Sequence, residues 1–254
     1  MEEIIMTLVL NTLIFENDWK KGAKQADLVD RVAKLGADGV EVRREYFRDI
    51  NKELSEVAER AKKSNLLVNY SVPDVIFEDD GSVNPKMQQY FDEGKILGLK
   101  KIKFNVGHFD KFTGDLRSEL GKLPLDQIQL NIENDQTSVS GNAKSIETFL
   151  AAARKVGLTS LGYVYDLGNW AFTNGNAEVA ARELTPYTHY IHLKNVIDDN
   201  GKLITSDDLN KGMFDWKKLI KILPIDQSYA LEFPMKDDEQ VLSQMKLLNN
   251  EVGA

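Results

Sequence analysis

The sequence predicts an α/β chain folded as a single (β/α)8 barrel, and three observations carry that prediction. Short β-branched runs alternate with amphipathic helical windows along all 254 residues. Eight such runs start near residues 6, 38, 67, 101, 128, 161, 189 and 229, and each repeat has room for one strand, one helix and two loops. No glycine-rich phosphate loop follows the first run, as a nucleotide-binding open sheet would require. Eight strand–helix units in about 250 residues match a closed barrel. No Pro/Ser-rich linker interrupts residues 1–254, which read as one domain.

Taken in order, the first strand is "MTLVLN", an apolar run after an acidic start, so "MEEIIMTLVLN" reads as a buried strand rather than a signal peptide. "QADLVDRVAKLG" places Leu28, Val32 and Leu35 on one helical face and stops at Gly36, a suitable C-cap. The second strand, "DGVEVR", leads into "NKELSEVAERAKKSN", striped by Leu54, Val57 and Ala61. "LLVNYSV", "KIKFNV" and "IQLNIE" are the next three strands, followed by a helix over "SIETFLAAARKVG" with Ile146, Phe149, Leu150 and Ala153 inward. "LGYVYD" and "HYIHLK" are the sixth and seventh strands. The longest interval then carries "IDDNGKLITSDDLNKGMFDWKKL", whose hydrophilic half reads as a lid or a solvent-exposed insertion. "YALEF" is the last strand, and "DEQVLSQMKLLN" the last helix, with Val241, Leu242, Met245 and Leu248 on its apolar stripe.

Composition narrows the partners. Charged residues make up 28% and hydrophobic ones 42%, a globular balance. No run of eighteen apolar residues exists, so no membrane partner is expected. The formal net charge of −8 and the short, acid-flanked basic clusters argue against a nucleic-acid partner, which needs a concentrated cationic surface. The absence of cysteine excludes disulfides and thiolate metal sites, and fits a reducing, cytoplasmic location. A homo-oligomer is compatible with the sequence, which does not set the oligomeric state.

Barrel chemistry gathers at the C-terminal ends of strands. Those ends carry Glu133 in "LNIEND", Asp166 in "VYDLGN", His192 in "YIHLKN" and Glu232 in "ALEFP". Strand side chains alternate between faces. In "THYIHLK", Tyr190, His192 and Lys194 therefore share one face, and His189, Ile191 and Leu193 the other, which packs under helices. His192 is thus the candidate ligand and His189 is not. The same parity sets Val164 and Ala230 below Asp166 and Glu232, filling the lower interior. Three buried carboxylates would repel one another without a cation. With a neutral His192, the set suits one divalent metal ion, Mn first and Mg, Co or Zn as alternatives.

The chain resembles the xylose-isomerase-like sugar isomerase/epimerase superfamily of TIM barrels. The pieces are "GVEVRRE", "NIEN", "YDLGN", "YIHLKN" and "YALEFP", in that order over nearly the whole chain. The resemblance implies one divalent metal held by Glu133, Asp166, His192 and Glu232. It also implies that Glu133 and Glu232 flank a substrate carbon and exchange its proton, with Glu133 and Glu232 as the catalytic pair. Two positions depart from the family's pattern: Asn169 stands where many members have histidine, and Asn195 where "H-x-K-D" has its acid. Three histidines in total are too few for the related endonuclease branch with its histidine-rich three-zinc cluster.

The function expected is isomerisation or epimerisation of a small keto-sugar or polyhydroxylated carbonyl compound, by proton transfer through a metal-stabilised enediolate. Elimination of a β-hydroxyl from the same enolate would make the protein a dehydratase of a cyclic keto-polyol or related acid. A non-catalytic sugar-binding barrel is the alternative from another class. Further substrate contacts are expected from Lys194, Asn169 and His108, from an inward Glu41–Arg43 ion pair, and from Trp19 as an apolar wall against a sugar face. The absence of an arginine cluster favours a free over a phosphorylated sugar.

Overall fold

Strands buried on both faces need helices outside them and side chains within. The computed structural model, which describes residues 6–252, meets that need by closing eight parallel strands on themselves. The acidic start at residues 1–5 lies outside the described residues. In chain order the strands are β1 (Leu8–Asn11), β2 (Gly39–Arg43), β3 (Leu67–Phe77), β4 (Lys101–Gly107), β5 (Gln129–Glu133), β6 (Gly162–Asp166) and β7 (Thr188–Leu193). A hairpin, β8 (Val196–Asp199) and β9 (Lys202–Thr205), precedes the closing strand β10 (Ser228–Leu231). Around the barrel the order is β1–β10–β7–β6–β5–β4–β3–β2, with β2 hydrogen-bonded back to β1.

The expected strands therefore fall where the patterning put them, as do the four assigned helices among the ten observed. These are α1 (Glu16–Lys20), α2 (Gln25–Leu35), α3 (Ile50–Lys63), α4 (Met87–Leu97), α5 (Leu116–Leu120), α6 (Ala143–Lys155), α7 (Asn169–Phe172), α8 (Ala177–Leu184), α9 (Trp216–Ile220) and α10 (Asp238–Val252). Gly36 ends α2 at φ +80°, the left-handed cap that glycine adopts without steric cost. Leu28, Val32 and Leu35 join the helix–barrel core with their outward-facing strand neighbours. Inside the barrel a separate small cluster of Val9, Val164, Tyr190 and Ala230 fills the lower interior. Among the described residues no helix is long and apolar enough to cross a membrane.

Two local expectations are corrected. Leu242 is 49% exposed, and the buried position beside Val241, Met245 and Leu248 goes to Gln244. Gln244 Oε1 accepts from Leu209 N at 3.0 Å, so the helix anchors a loop as well as packing on the core. Strict alternation also fails once in β7: Tyr163 pairs with Thr188, but Val164 pairs with Tyr190. His189 is the extra residue of this bulge. Its ring leaves the helix face and lies against barrel-facing residues, 2.8 Å from Gln129 Nε2. Gly162 makes the room, since a Cβ there would overlap His189 Nδ1.

Outside the barrel, Glu93 on α4 is clamped by both arms of Arg44, at 2.8 and 2.9 Å, and by the Tyr70 hydroxyl at 2.7 Å. Burial alone would raise its carboxyl, but the bonds from Arg44, Tyr70 and Gln89 outweigh it and hold the group below its ordinary range. A carboxyl depressed in the fold stabilises it fully above the unfolded value of about 4.3, and that contribution is lost as pH falls through the lower folded value. Glu93→Gln is expected to flatten the loss of stability below about pH 4. Urea midpoints measured between neutral and acid pH for both proteins check this.

Candidate active site

At the C-terminal ends of β5, β6, β7 and β10, strand geometry aims Glu133, Asp166, His192 and Glu232 at one point. Each offers one donor atom, and these four atoms lie within 4.8 Å of one another, all on buried residues. His192 Nδ1 faces inward, 2.9 Å from Glu133 Oε1 and 3.1 Å from Glu232 Oε2.

The outward atoms of the same side chains are held from behind. His192 Nε2 is 3.0 Å from Glu41 Oε2, and Asn11 Nδ2 bridges the other Glu41 oxygen, at 2.5 Å, to Glu232 Oε1 at 3.0 Å. Arg43 Nη1 donates to Glu232 Oε1 at 2.9 Å. Lys103 Nζ donates to Glu133 Oε2 at 2.5 Å, and Asn169 N to Asp166 Oδ1 at 3.1 Å. Glu133 Oε1 and Asp166 Oδ2, both inward, accept no aligned hydrogen bond. Three carboxylates and one imidazole, oriented by outer partners and with inward oxygens that meet only His192 Nδ1 and the Lys194 ammonium, form a donor set that fits a hard or borderline divalent ion.

The acids are partly neutralised from within the chain. Arg43, Lys103 and Lys194 lie against them, so Glu41, Glu133, Asp166 and Glu232 face three permanent positive charges. Burial would raise Glu133, yet Lys103 and His192 hold it down to about 2, with Glu232 opposing. Burial is likewise overcome at Glu232, where Lys194, Lys103 and His192 keep the carboxyl well below its ordinary range. At Asp166 burial wins: it and the neighbouring glutamates raise the group to about 7 despite Lys194 Nζ at 2.6 Å. Burial disfavours imidazolium, but Glu41 and Glu232 outweigh it and raise His192 well above its usual value.

Above the cluster opens a cavity of about 380 Å3, large enough for a small-molecule ligand. Arg43, Lys103, Glu133, Asn169, Lys194 and Glu232 line it, with Ser71, Gln136, Thr137 and Thr205 adding hydroxyl and amide groups. Three expected contacts fall outside it. Glu41 is fully buried behind His192 and forms no pair with Arg43, which turns to Glu232 and Glu45. His108 lines a different groove, because Gly107 turns the chain at φ +72° where a Cβ would overlap Phe77 O. Trp19 stacks on Tyr46 at 4.3 Å and 7°, donating Nε1 to Tyr46 O, and is absent from the cavity wall. Lys103 is the site residue that strand-end reading left out. Its parity with Asn105, opposite Ile102, Phe104 and Val106, was the available signal.

No family model matches the chain, and no curated protein matches it in sequence. Solved structures do. The chain is similar to the probable 3-DHS dehydratase AsbF, involved in petrobactin synthesis in Bacillus anthracis, with a TM-score of 0.72 at 13% identity over 96% of this chain and 99% of that one. It is similar to D-psicose 3-epimerase, solved in the presence of D-fructose, with a TM-score of 0.70 at 15% identity over 98% of this chain and 100% of that one. The fold is that of the xylose-isomerase-like TIM barrels. A third similar structure, the IOLI protein with a zinc atom, has a TM-score of 0.63 at 14% identity, covering 97% of this chain and 98% of that one.

The two positions where the sequence differs from the pattern it resembles have physical reasons in this barrel. Asn169 opens α7, donates Nδ2 to Asn134 O at 2.7 Å and accepts from Gln136 at 3.1 Å, so its amide braces the loop after β5. Asn195 is fully bonded: Nδ2 donates to Leu209 O and Phe214 O, and Oδ1 accepts from Val196 N and Phe214 N. Gly212 leaves the space it occupies, since a Cβ there would overlap the Asn195 side chain. An acid could not make the two donations.

Proposed function

We propose that this chain is a divalent-metal-dependent isomerase or epimerase of a small keto-sugar or polyhydroxylated carbonyl compound. The observation that carries the reading is the convergence of four inward donor atoms within 4.8 Å, beneath a cavity lined by Glu133 and Glu232. Glu133, Asp166, His192 and Glu232 would hold the ion; the mixed O/N set suits Mn first, then Mg, Co or Zn. A divalent ion there supplies a Lewis acid beside a substrate carbonyl.

The remaining work belongs to the chain. A carboxylate takes the proton from the carbon next to the carbonyl, becoming a carboxylic acid, while the electron pair moves towards the carbonyl oxygen. Glu133 and Glu232 stand on strands separated by β6 and β7, so they reach a bound carbon from different sides. Return from the far side inverts the centre, and return to the neighbouring carbon moves the carbonyl. Ser71, Gln136, Thr137 and Asn169 offer hydrogen bonds to hydroxyls, and Lys194 a cation to a substrate oxygen.

Elimination is the second reading, favoured by the ammonium groups of Lys103 and Lys194 on the cavity wall, which would assist departure of a β-hydroxyl. Incubating the Mn-loaded protein with a panel of ketoses in deuterated water tests both. Deuterium incorporation without loss of water is expected, an enone absorbance selects the dehydratase, and neither outcome across the panel overturns the proposal.

A further inference from the structure

We propose that the Lys194 ammonium and a divalent ion are alternative occupants of one position, and that Lys194 is displaced into the cavity when the ion binds. The inference rests on reading Glu133, Asp166, His192 and Glu232 as metal ligands.

Lys103 and Lys194 both neutralise the cluster, but from different sides. Lys103 Nζ contacts Glu133 Oε2, the outward oxygen, and leaves the inward Oε1 facing His192 Nδ1 at 2.9 Å. Lys194 Nζ instead lies 2.6 Å from Asp166 Oδ2 and 3.2 Å from Glu232 Oε2. These are the inward oxygens: Asn169 N engages Asp166 Oδ1, Arg43 and Asn11 engage Glu232 Oε1, and Glu232 Oε2 is shared between Lys194 and His192 Nδ1 at 3.1 Å. Asp166 Oδ2 receives no aligned hydrogen bond, so Lys194 acts there as a point charge rather than a directional donor. Two cations cannot share those oxygens without strong mutual repulsion in a buried site.

The seat is built, and so is the exit. A Cβ on Gly168 would stand 2.5 Å from Lys194 Cγ, so glycine at that position lets the stem pass inward from the end of β7. The side chain also borders the cavity, beside Asn169 and Thr205, which gives the ammonium a polar place to go. Its displacement would deliver a cation to the wall against which a substrate lies. Metal loading and substrate recognition are thereby linked through one side chain.

Calorimetric titration with Mn2+ tests this without any substrate. Lys194→Met is expected to bind Mn2+ at least tenfold more tightly than the wild type, and Lys103→Met to gain by a clearly smaller factor. In the wild type, acetic anhydride labelling of Lys194, followed by mass spectrometry, is expected to rise several-fold when Mn2+ is added. Lys194→Gln replaces the Met variant if that one does not fold. An equal gain in Lys103→Met reduces the effect to net charge and overturns the inference. Unchanged or weaker binding in the Lys194 variants, or labelling that does not rise, overturns it while the metal reading stands. Failure of every protein to bind Mn2+ overturns both.

Discussion

Glu133→Gln and Glu232→Gln are each expected to lower deuterium incorporation into substrate by about 10²- to 10⁴-fold, the range of a positioned general acid or base. Glutamine keeps the size and one carbonyl oxygen of each side chain but cannot accept a proton from carbon. Both positions are buried inside the cation-rich cluster, so the wild-type groups are ionised and ready to act as bases. Loss of charge at Glu133 also removes the carboxylate that neutralises Lys103 at 2.5 Å, and the two variants are not expected to be equivalent. Far-UV circular dichroism should be unchanged, because neither side chain belongs to the helix–barrel core. Retention of exchange in both variants would remove the glutamates from the chemistry.

Asn195→Asp is expected to destabilise the fold by about 3 kcal/mol, the cost of leaving buried groups unpaired and burying a charge. Leu209 O and Phe214 O, at 2.8 and 2.9 Å, would each lose their donor, and an uncompensated carboxylate would replace a residue only 1% exposed. Those bonds hold the loop over residues 206–214 against the end of β7, next to Lys194. An acid at this position, as in the pattern that the sequence resembles, is therefore expected to be damaging. Denaturant unfolding of the two proteins checks it; a change within about 0.5 kcal/mol, the usual range for a surface substitution, would contradict this account.

The barrel was legible because its eight strands are short, buried runs separated by capped helices, and because period-two alternation assigns each side chain a face. Val164 and Ala230 fill the lower interior as alternation required. His189 escaped the same rule because a bulge is set by pairing between neighbouring strands and Gly162 opposite it, not by the run in which the histidine lies. Alternation puts Lys103 on the barrel face, but its link to Glu133 depends on the β4–β5 register, in which Lys103 pairs with Asn131 and Asn105 with Glu133. His108 sits on a loop and Trp19 on the short helix α1, where no strand alternation fixes direction. The β8–β9 hairpin carried a local signal in "DNGK": Asn200 and Gly201 both adopt positive φ, at 55° and 84°, the Asn-Gly turn preferred by tight hairpins.

The most direct test of the account is a calorimetric titration of the wild type and Asp166→Asn with Mn2+, paired with metal analysis of the dialysed proteins. One equivalent of ion per chain is expected for the wild type. Affinity should fall by at least tenfold when Asp166, whose inward oxygen takes no aligned hydrogen bond, becomes an amide. Equal binding by the two proteins, or none by either, would contradict the claim that these four strand ends form one metal centre.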